Sequence, residues 1–501
     1  MHFPRTILRV STLILIFLAF ARISHAQESN QSQPWIRVLI ASGSRSATVA
    51  ASGPSRVNLM GSPESVGSFD EGHTYTFELT GGGVQMGGTD RVSEGGFTIV
   101  SGDDSGRITV NRKTYRGIVR IVCGEGSLSV VNVLPMEQYL WGVIPCEVPC
   151  SWPVEVLRAQ AVAARTYAMR ALEQYPDRPF DVYSTVADQV YSGAGSEEDR
   201  TTQACMDTYG QVCTWNGTPI IAYYHAAAGG WTATGEDVFG NSQPYLRSVP
   251  SRDSAVYRWT YSATAGQLAR ALRGIGYQVG SIDRVWVHRF SSEGRAEEIK
   301  IVHSGGIAFV SGVELRRALG ASNIQSTYFT IQGQAAPDIP GGESPQTALN
   351  PLEQYSFTNP QILVPLPVSM MLEEESILSA DGSRFMDRAV VRGANGSRQY
   401  IGGWFWVAFP VRVGDLDEAR IARIVSASER LSADLRGSEA VEDPGRGVGT
   451  PQNGSFVFVG HGCGHGVGMS QHGARILAET GWTYQQILKY FYTGIEIERL
   501  W

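Results

Sequence analysis

The chain has 501 residues, a formal net charge of −7, a hydrophobic fraction of 43% and an aromatic fraction of 10%. These values describe a packed protein of two or three domains and exclude wholesale disorder. They also argue against a nucleic-acid partner, which needs clustered Lys and Arg: there is no basic block, and Lys113, Lys300 and Lys489 are the only lysines.

At the N-terminus, Arg5 and Arg9 precede an apolar run from Val10 to Ala21, and Ser24-His25-Ala26 follows. This pattern reads as a secretory signal peptide, residues 1–26, cleaved after Ala26. The alternative is an uncleaved anchor, although the run is short for a membrane span. The expected location is secreted or periplasmic, in the cell envelope, with membrane contact only if the signal stays attached. Six cysteines (Cys123, Cys146, Cys150, Cys205, Cys213 and Cys463) permit disulfides in an exported chain, but no pairing follows from their spacing.

Residues 27–130 read as a β-rich region. Ile36–Ala50 alternates in part, and short β-like runs follow at Thr74–Leu79, Gly96–Val100, Arg107–Val110, Gly117–Val122 and Ser127–Val133. Gly81-Gly82-Gly83 reads as a turn, because it lacks the lysine and the strand–loop–helix context of a phosphate loop. A helix is predicted over Pro153–Gln174, with Ser151 as a cap and Leu157, Ala161, Ala164, Ala168 and Leu172 on one narrow face. Glu197–Tyr209 reads as another helix, and Gln211–Thr214 with Pro219–Tyr224 as a hairpin around Asn216-Gly217. Beyond it come helices at Ala265–Leu272 and Gly312–Leu319 and strands at Ile282–Arg289 and Glu298–Val302. Pro337–Pro351 and Gly437–Gly454 have linker composition. Between them a strand is predicted at Trp404–Val411 and a helix at Asp415–Leu435. The last predicted helix is Tyr484–Tyr492.

Three segments carry chemistry: LPMEQYLWGVIPCEVPCSWPVEVLRAQAVAARTYA from Leu134, YYHAAAGGWTATGEDVFGNSQPYLRSV before Pro250, and GHGCGHGVGMSQHGA from Gly460. In this order they resemble the stage II sporulation protein D family, also called SpoIID/LytB. The resemblance covers about Ile36–Ile331 and resumes near Phe456. It implies an α+β fold: a catalytic core over 131–331 completed by 455–501, with 332–454 an insertion of unassigned role. It also implies a lytic transglycosylase that cleaves the MurNAc–GlcNAc bond of peptidoglycan glycan strands without water and leaves 1,6-anhydro ends. The expected partners are those strands and other cell-wall hydrolases, and no cofactor is expected.

The family's catalytic glutamate falls on Glu147. Glycosidic cleavage needs a proton on the leaving oxygen, and a carboxylic acid supplies one at neutral pH only when its environment favours the protonated form. Val143, Ile144, Pro145, Val148, Pro149 and Trp152 surround Glu147 in sequence and could desolvate it. One carboxyl suffices where the substrate's own acetamido group stabilises C1 and its 6-hydroxyl attacks. Read from the residues alone, Glu147 is a carboxyl in an apolar turn, and such an acid is more often solvated or helix-capping than catalytic. Glu137 and Glu155 compete with it; Glu155 sits in a first helical turn, where the macrodipole favours an acid.

Arg158 and Arg165, seven residues apart on one predicted helix face, are expected to bind substrate carboxylates or, alternatively, to make solvent-facing ion pairs. Gln160 is expected to offer an amide to sugar hydroxyls, and Tyr167 reads as core. His225, His465, Ser470 and Gln471 are expected to bind or orient sugar, with a half-buried structural histidine as the other reading of His225. The glycines around His465 permit positive φ and a close backbone approach. The chain departs from the family after His225, where Ala226-Ala227-Ala228 replaces a hydroxyl-rich stretch.

His461, Cys463, His465 and His472 lie close in sequence but among glycines, not on a helix, and Phe180–Tyr191 has no His or Cys. No metal site is therefore expected. Two rival functions remain: a non-catalytic glycan-binding enhancer of a cell-wall amidase, and a zinc hydrolase resting on the terminal histidines. Cys146 and Cys150 flank Glu147, and a disulfide from either, for example Cys146 to Cys463, would rigidify its turn.

Overall fold

The computed structural model describes residues 32–335 except 63, 70–71, 103–105, 125, 175–177 and 255, the two strands 385–392 and 398–406, and residues 448–501. The expected signal peptide, the expected helix Asp415–Leu435 and most of the two linkers lie outside the described residues. The chain divides into two compact units. Unit 1 holds the described residues up to Ala222 with Trp482–Leu488 and Ile495–Trp501; unit 2 holds Tyr223–Gly481 with Lys489–Gly494. Strands and helices mix in both, so the fold is α+β.

Unit 1 opens with two sheets. One has seven strands in the spatial order Val182–Tyr183, Trp35–Ser44, Leu128–Pro135, Ile118–Cys123, Phe97–Ser101, Ser55–Leu59 and Ser65–Phe69. The other has six, from Lys113–Tyr115 through Ser46–Ala51 and Thr74–Thr80 to Val92–Ser93. Alternating side chains put Val38, Val57, Phe97, Ile99, Val119 and Ile121 of the first sheet and Val49, Phe77, Val84 and Ile108 of the second in the core. The faces meet at Phe77 and Phe97, whose ring centroids are 5.4 Å apart. Gly96, at φ +95°, lies where a Cβ would stand 2.0 Å from the Ile121 carbonyl oxygen, so only glycine allows that approach.

The strand Leu128–Pro135 runs straight into a helix, Met136–Glu147, that the sequence reading did not contain. Gly142 and Pro145 break its sequence signal; Pro145 removes one backbone donor to the carbonyl four residues before it, and the helix ends two residues later. Tyr139, Leu140, Val143 and Ile144 are its buried face. Glu147 is therefore the last residue of a helix and not part of a free turn. The following turn is held by Arg200, which donates to the carbonyls of Cys150 and of Trp152 (3.1 Å for the latter).

The long helix forms over Val154–Gln174, as predicted, but it is buried on more than one face. Val156, Leu157, Ala159, Gln160 and every residue from Ala161 to Thr166 are buried, while Leu172 of the predicted face is only partly so. An alanine-rich helix with neighbours on most sides is a core helix. The hairpin turns at Asn216 (φ +51°) and Gly217 (φ +75°), with Trp215 paired to Thr218. Its second strand is only Thr218–Pro219; Gln211–Trp215 pairs on its other edge with Glu496–Arg499.

Unit 2 contains a meander, Ile282–Phe290, Ala296–His303 and Gly306–Ser311, and a second three-stranded sheet. In that second sheet Ser455–His461 lies between Arg258–Thr264 and Phe329–Ile331, antiparallel to both. Helices Ala265–Gly274 and Gly312–Leu319 each start with a capping box, Thr264 with Gln267 and Ser311 with Glu314. Leu268, Leu272, Val285, Ile299, Ile301, Leu315, Phe329 and Phe458 share their core. Of the region between the flanking sheet strands, Phe385–Arg392 and Arg398–Trp406 form an antiparallel pair. The predicted strand at Trp404–Val411 overlaps the second of these by three residues, and its remainder lies outside the described residues.

Candidate functional site

In unit 1 Glu147 is partly buried at the C-terminal end of its helix, beside buried Val143, Ile144 and Val148. The backbone amide of Val190 donates to its Oε1 at 2.9 Å. The two residues before Val190 are tied down as well. Gln189, fully buried, accepts from the Tyr139 hydroxyl at 3.0 Å and donates to the Ala164 carbonyl at 3.2 Å. Asp188 accepts from the Tyr167 hydroxyl at 2.7 Å and from the Tyr183 amide at 2.8 Å. Burial, and then the charges of Glu147 and Asp188, hold the Tyr139 phenol well above its ordinary value of 10, so Tyr139 is a permanent donor. Sequence reasoning missed Tyr139, Asp188 and Gln189 and read Tyr167 as core only. The one signal available was the polar pair Asp188-Gln189 in an otherwise plain stretch.

Arg158 and Arg165 of the long helix are engaged by protein carboxylates. Arg165 is fully buried; Nε and Nη2 meet the two oxygens of Glu137 at 2.9 and 2.7 Å, and the carbonyls of Cys205 and Gln211 accept its remaining donors at 3.2 and 3.1 Å. It is a core ion pair, neither a substrate clamp nor a solvent-facing one, because its tertiary partners enclose it. This also gives Glu137 a structural task. Arg158, about a third exposed, pairs with Glu155 and Asp207, both at 2.6 Å. Glu155 in turn accepts from the Tyr484 amide at 2.7 Å, at the start of the helix Tyr484–Phe491. Gln160 is fully buried in the helix interior, not on a surface that a polymer reaches.

In unit 2 the strand Tyr224–His225 pairs in parallel with Met469–Ser470, which brings His225, His465, Ser470 and Gln471 into one neighbourhood. Gly462, Gly464, Gly466 and Gly468 all have positive φ, from +71° to +111°. A Cβ at Gly468 would stand 2.1 Å from the Tyr223 carbonyl oxygen. His465 accepts from the Val467 amide through Nδ1 (3.0 Å) and faces the Tyr224 carbonyl through Nε2 (3.0 Å), which assigns it the neutral Nε2–H tautomer. Burial pushes it down to about 4. His225 contacts the Val467 carbonyl through Nδ1 at 3.1 Å; burial first, then His465 and Arg295, holds it well below 6.5. The two imidazoles are 5.4 Å apart, and His465 also touches the rings of Tyr223 and Phe239.

The centre of this neighbourhood is a residue the sequence did not reveal. Asp253, fully buried, accepts from the amides of Ala228 (2.7 Å), Gly229 (3.0 Å) and Gly230 (2.9 Å), from the Ser470 hydroxyl (2.6 Å) and from the Ser251 hydroxyl. The Ala226–Ala228 backbone thus takes part without hydroxyls: the Ala226 carbonyl accepts from the His472 amide, and Ala227 exchanges two hydrogen bonds with Cys463. Ser470 has a second task, capping the helix Gln471–Glu479 at the Gly473 amide (3.1 Å). Gln471 is buried in the first position of that helix.

His461 is engaged by the Gly229 carbonyl at 2.7 Å, and its ring lies tilted against Tyr328 with centroids 4.3 Å apart. Among the described residues no cluster of three or more His, Cys, Asp or Glu has the arrangement of a metal site. All six cysteines are free, so neither the local nor the Cys146–Cys463 disulfide is formed. The Cys146 thiol instead donates back to the Gly142 carbonyl in its own helix.

Compared with known protein families, residues 124–215 match SpoIID, stage II sporulation protein. An uncharacterized protein of Brachyspira hyodysenteriae is 32% identical over 227 residues, 45% of this chain and 61% of that protein. The amidase enhancer of Bacillus subtilis is 25% identical over 447 residues, 85% of this chain and 50% of the relative. Stage II sporulation protein D of Bacillus subtilis is 32% identical over 162 residues, 29% of this chain and 47% of the relative. The chain thus spans roughly half to three-fifths of the length of these relatives.

Proposed function

We propose, from the premise that the chain belongs to the SpoIID family through residues 124–215, that it is a cell-envelope protein that cleaves peptidoglycan glycan strands as a lytic transglycosylase, with Glu147 as acid and then base. The observation that carries this reading is the setting of Glu147, a partly buried carboxyl inside the matched segment with the Val190 backbone amide aimed at it. The C-terminal end of a helix is the negative end of its dipole and disfavours an anion there. The Val190 amide stabilises the same anion. A group that gives a proton to the leaving oxygen and then takes one from the substrate's 6-hydroxyl must exist in both forms within one cycle, and these opposed influences suit it to that. The substrate's acetamido group would stabilise C1, so the reaction needs no second carboxylate and no water.

In this reading the neutral histidines His225 and His465 hold the glycine loop from inside, since His225 is buried and both ring nitrogens of His465 are engaged by Val467 and Tyr224, and any sugar contact falls to the loop itself. A second reading rests on one specific observation: the similarity to the amidase enhancer runs over 85% of this chain, well beyond the matched domain. Under it the chain binds glycan and stimulates a separate wall hydrolase. Incubating the purified protein with glycan strands and weighing the products distinguishes the two. Anhydro-ended fragments that vanish in Glu147→Gln support the enzyme; intact strands that nonetheless bind the protein support the enhancer.

A further inference from the structure

The meander of unit 2, Ile282–Phe290, Ala296–His303 and Gly306–Ser311, has two edges that differ. The edge at Ile282–Phe290 is closed. The Val285 amide donates to the Gly449 carbonyl (2.8 Å), and the Gln334 side chain accepts from the Val287 amide (3.0 Å) and donates to the Val287 carbonyl (2.6 Å). The edge at Gly306–Ser311 is open. Among the described residues no strand pairs on its outer side, and no backbone group of Gly306–Val310 is hydrogen-bonded there. Strand edges are normally blunted by proline, charge, a bulge or a covering loop. Gly305–Val310 has no proline and no charged side chain, and its pairing with Ala296–His303 runs without a register shift.

The side chains of this edge point the same way. Val310 enters the core with Ile299, Ile301 and Leu315, so Ile307 and Phe309, out of phase with it, face away from the helices. They are 56% and 45% exposed. The same face carries charge. Lys300 stands opposite Phe309 on one side and opposite Trp286 on the other. Its ammonium is 5.7 Å from the Phe309 ring and 5.3 Å from the Trp286 ring, and among the described residues it has no carboxylate partner. Arg284 lies 5.0 Å from the same indole. Against these two cations the face sets Glu298, 3.8 Å from the His288 ring. A line of free amides and carbonyls beside two exposed apolar side chains matches another strand, and the surplus of cations selects an acidic one.

We propose that the edge Gly306–Ser311 docks an extended acidic segment of another protein as a fourth strand, with apolar side chains on Ile307 and Phe309 and a carboxylate on Lys300. The surface is independent of glycan cleavage and is testable without it. The first probe is the blocked peptide Thr-Val-Thr-Glu-Thr-Val-Thr, which puts Val, Glu and Val on one face. The others are its counterpart with Lys for Glu, two versions N-methylated at alternate amides, and a chitin oligosaccharide. In calorimetry on the full chain the acidic peptide should bind at least about tenfold tighter than the basic one. A strand offers one set of alternate amides to its neighbour, so one N-methylated version should bind like the parent and the other should fail. Amide hydrogen exchange within Ile307–Val310 should slow on binding. Phe309→Ser, at an exposed position, should weaken binding about tenfold, and Lys300→Gln should erase the preference for the acidic peptide. The proposal is overturned if neither peptide binds, if both bind alike, if both N-methylated versions bind as the parent does, or if exchange within Ile307–Val310 is unchanged. It is equally overturned if the oligosaccharide protects these amides, or if the chain sediments as a dimer that Phe309→Ser dissociates, since a second copy would then hold the edge.

Discussion

The amide of Val190 stands 2.9 Å from Oε1 of Glu147, forty-three residues away in sequence. The acid is thereby fixed from two sides, by the end of its own helix and by a strap whose preceding residues Asp188 and Gln189 are bonded to Tyr167 and Tyr139. Glu147→Gln keeps the acceptor oxygen for Val190 and removes the proton. Glycan-cleaving activity should fall at least ~10²-fold, as for loss of a general acid, with the melting temperature nearly unchanged. Release of anhydro-ended fragments by the variant at the parent rate would refute the assignment.

The strap makes a separate claim. Gln189→Leu leaves the Tyr139 hydroxyl buried without its acceptor and loosens the segment that carries the Val190 amide. Stability should drop by about 1–3 kcal/mol. If the strap also tunes the acid, the pH profile of cleavage should move as well. A destabilised variant with an unaltered profile would assign Gln189 to packing alone.

Arg165 and Arg158 should behave oppositely on truncation. Arg165→Met strands the Glu137 carboxylate in the core and should cost about 3–5 kcal/mol in denaturant unfolding. Arg158→Ala, at a partly exposed pair, should cost about 1 kcal/mol or less. A large loss of glycan affinity in Arg158→Ala with normal stability would restore the substrate-clamp role expected from sequence.

Asp253 holds five donors from three chain segments. Asp253→Ala leaves three amides, two of them buried, and two hydroxyls without this acceptor and should destabilise by about 3 kcal/mol or more. Amide hydrogen exchange at Ala228, Gly229 and Gly230 should rise first. Exchange unchanged at these three positions would show that Asp253 is dispensable to the loop.

The histidine pair predicts an acid transition. His465 is held down to about 4 and His225 well below 6.5, both chiefly by burial, so the unfolded chain binds more protons than the folded one in this range. Stability is then fully present above about 6.5 and is lost as pH falls towards about 4. For His465 alone the span corresponds to about 3 kcal/mol. Unfolding free energy measured across that window should decline, and the decline should be smaller in His465→Gln. A flat profile would contradict the buried neutral imidazoles.

What the sequence disclosed was local. The helix from Pro153 onwards followed from a proline start and apolar spacing, the hairpin from Asn216-Gly217, and the β-rich opening from short alternating runs. The helix Met136–Glu147 stayed hidden because Gly142 and Pro145 mask a pattern that tertiary burial of Tyr139, Leu140, Val143 and Ile144 supports. Arg165 looked like a partner of Arg158 because they share a helix, but burial depends on what packs against the helix, and Glu137, Cys205 and Gln211 come from elsewhere. Asp253 left no trace, since its donors lie at 228–230, 251 and 470. Its importance is a property of the fold and not of its neighbours in the chain.

The three-stranded sheet of unit 2 has its middle strand, Ser455–His461, encoded more than a hundred residues after the two strands it joins. During synthesis both outer strands must wait with open hydrogen-bonding edges until that late segment arrives, and open edges invite wrong pairing. Translation pauses, holdase chaperones or an export route that keeps the polypeptide unfolded would therefore govern the yield of native protein more strongly than the stability of the finished sheet.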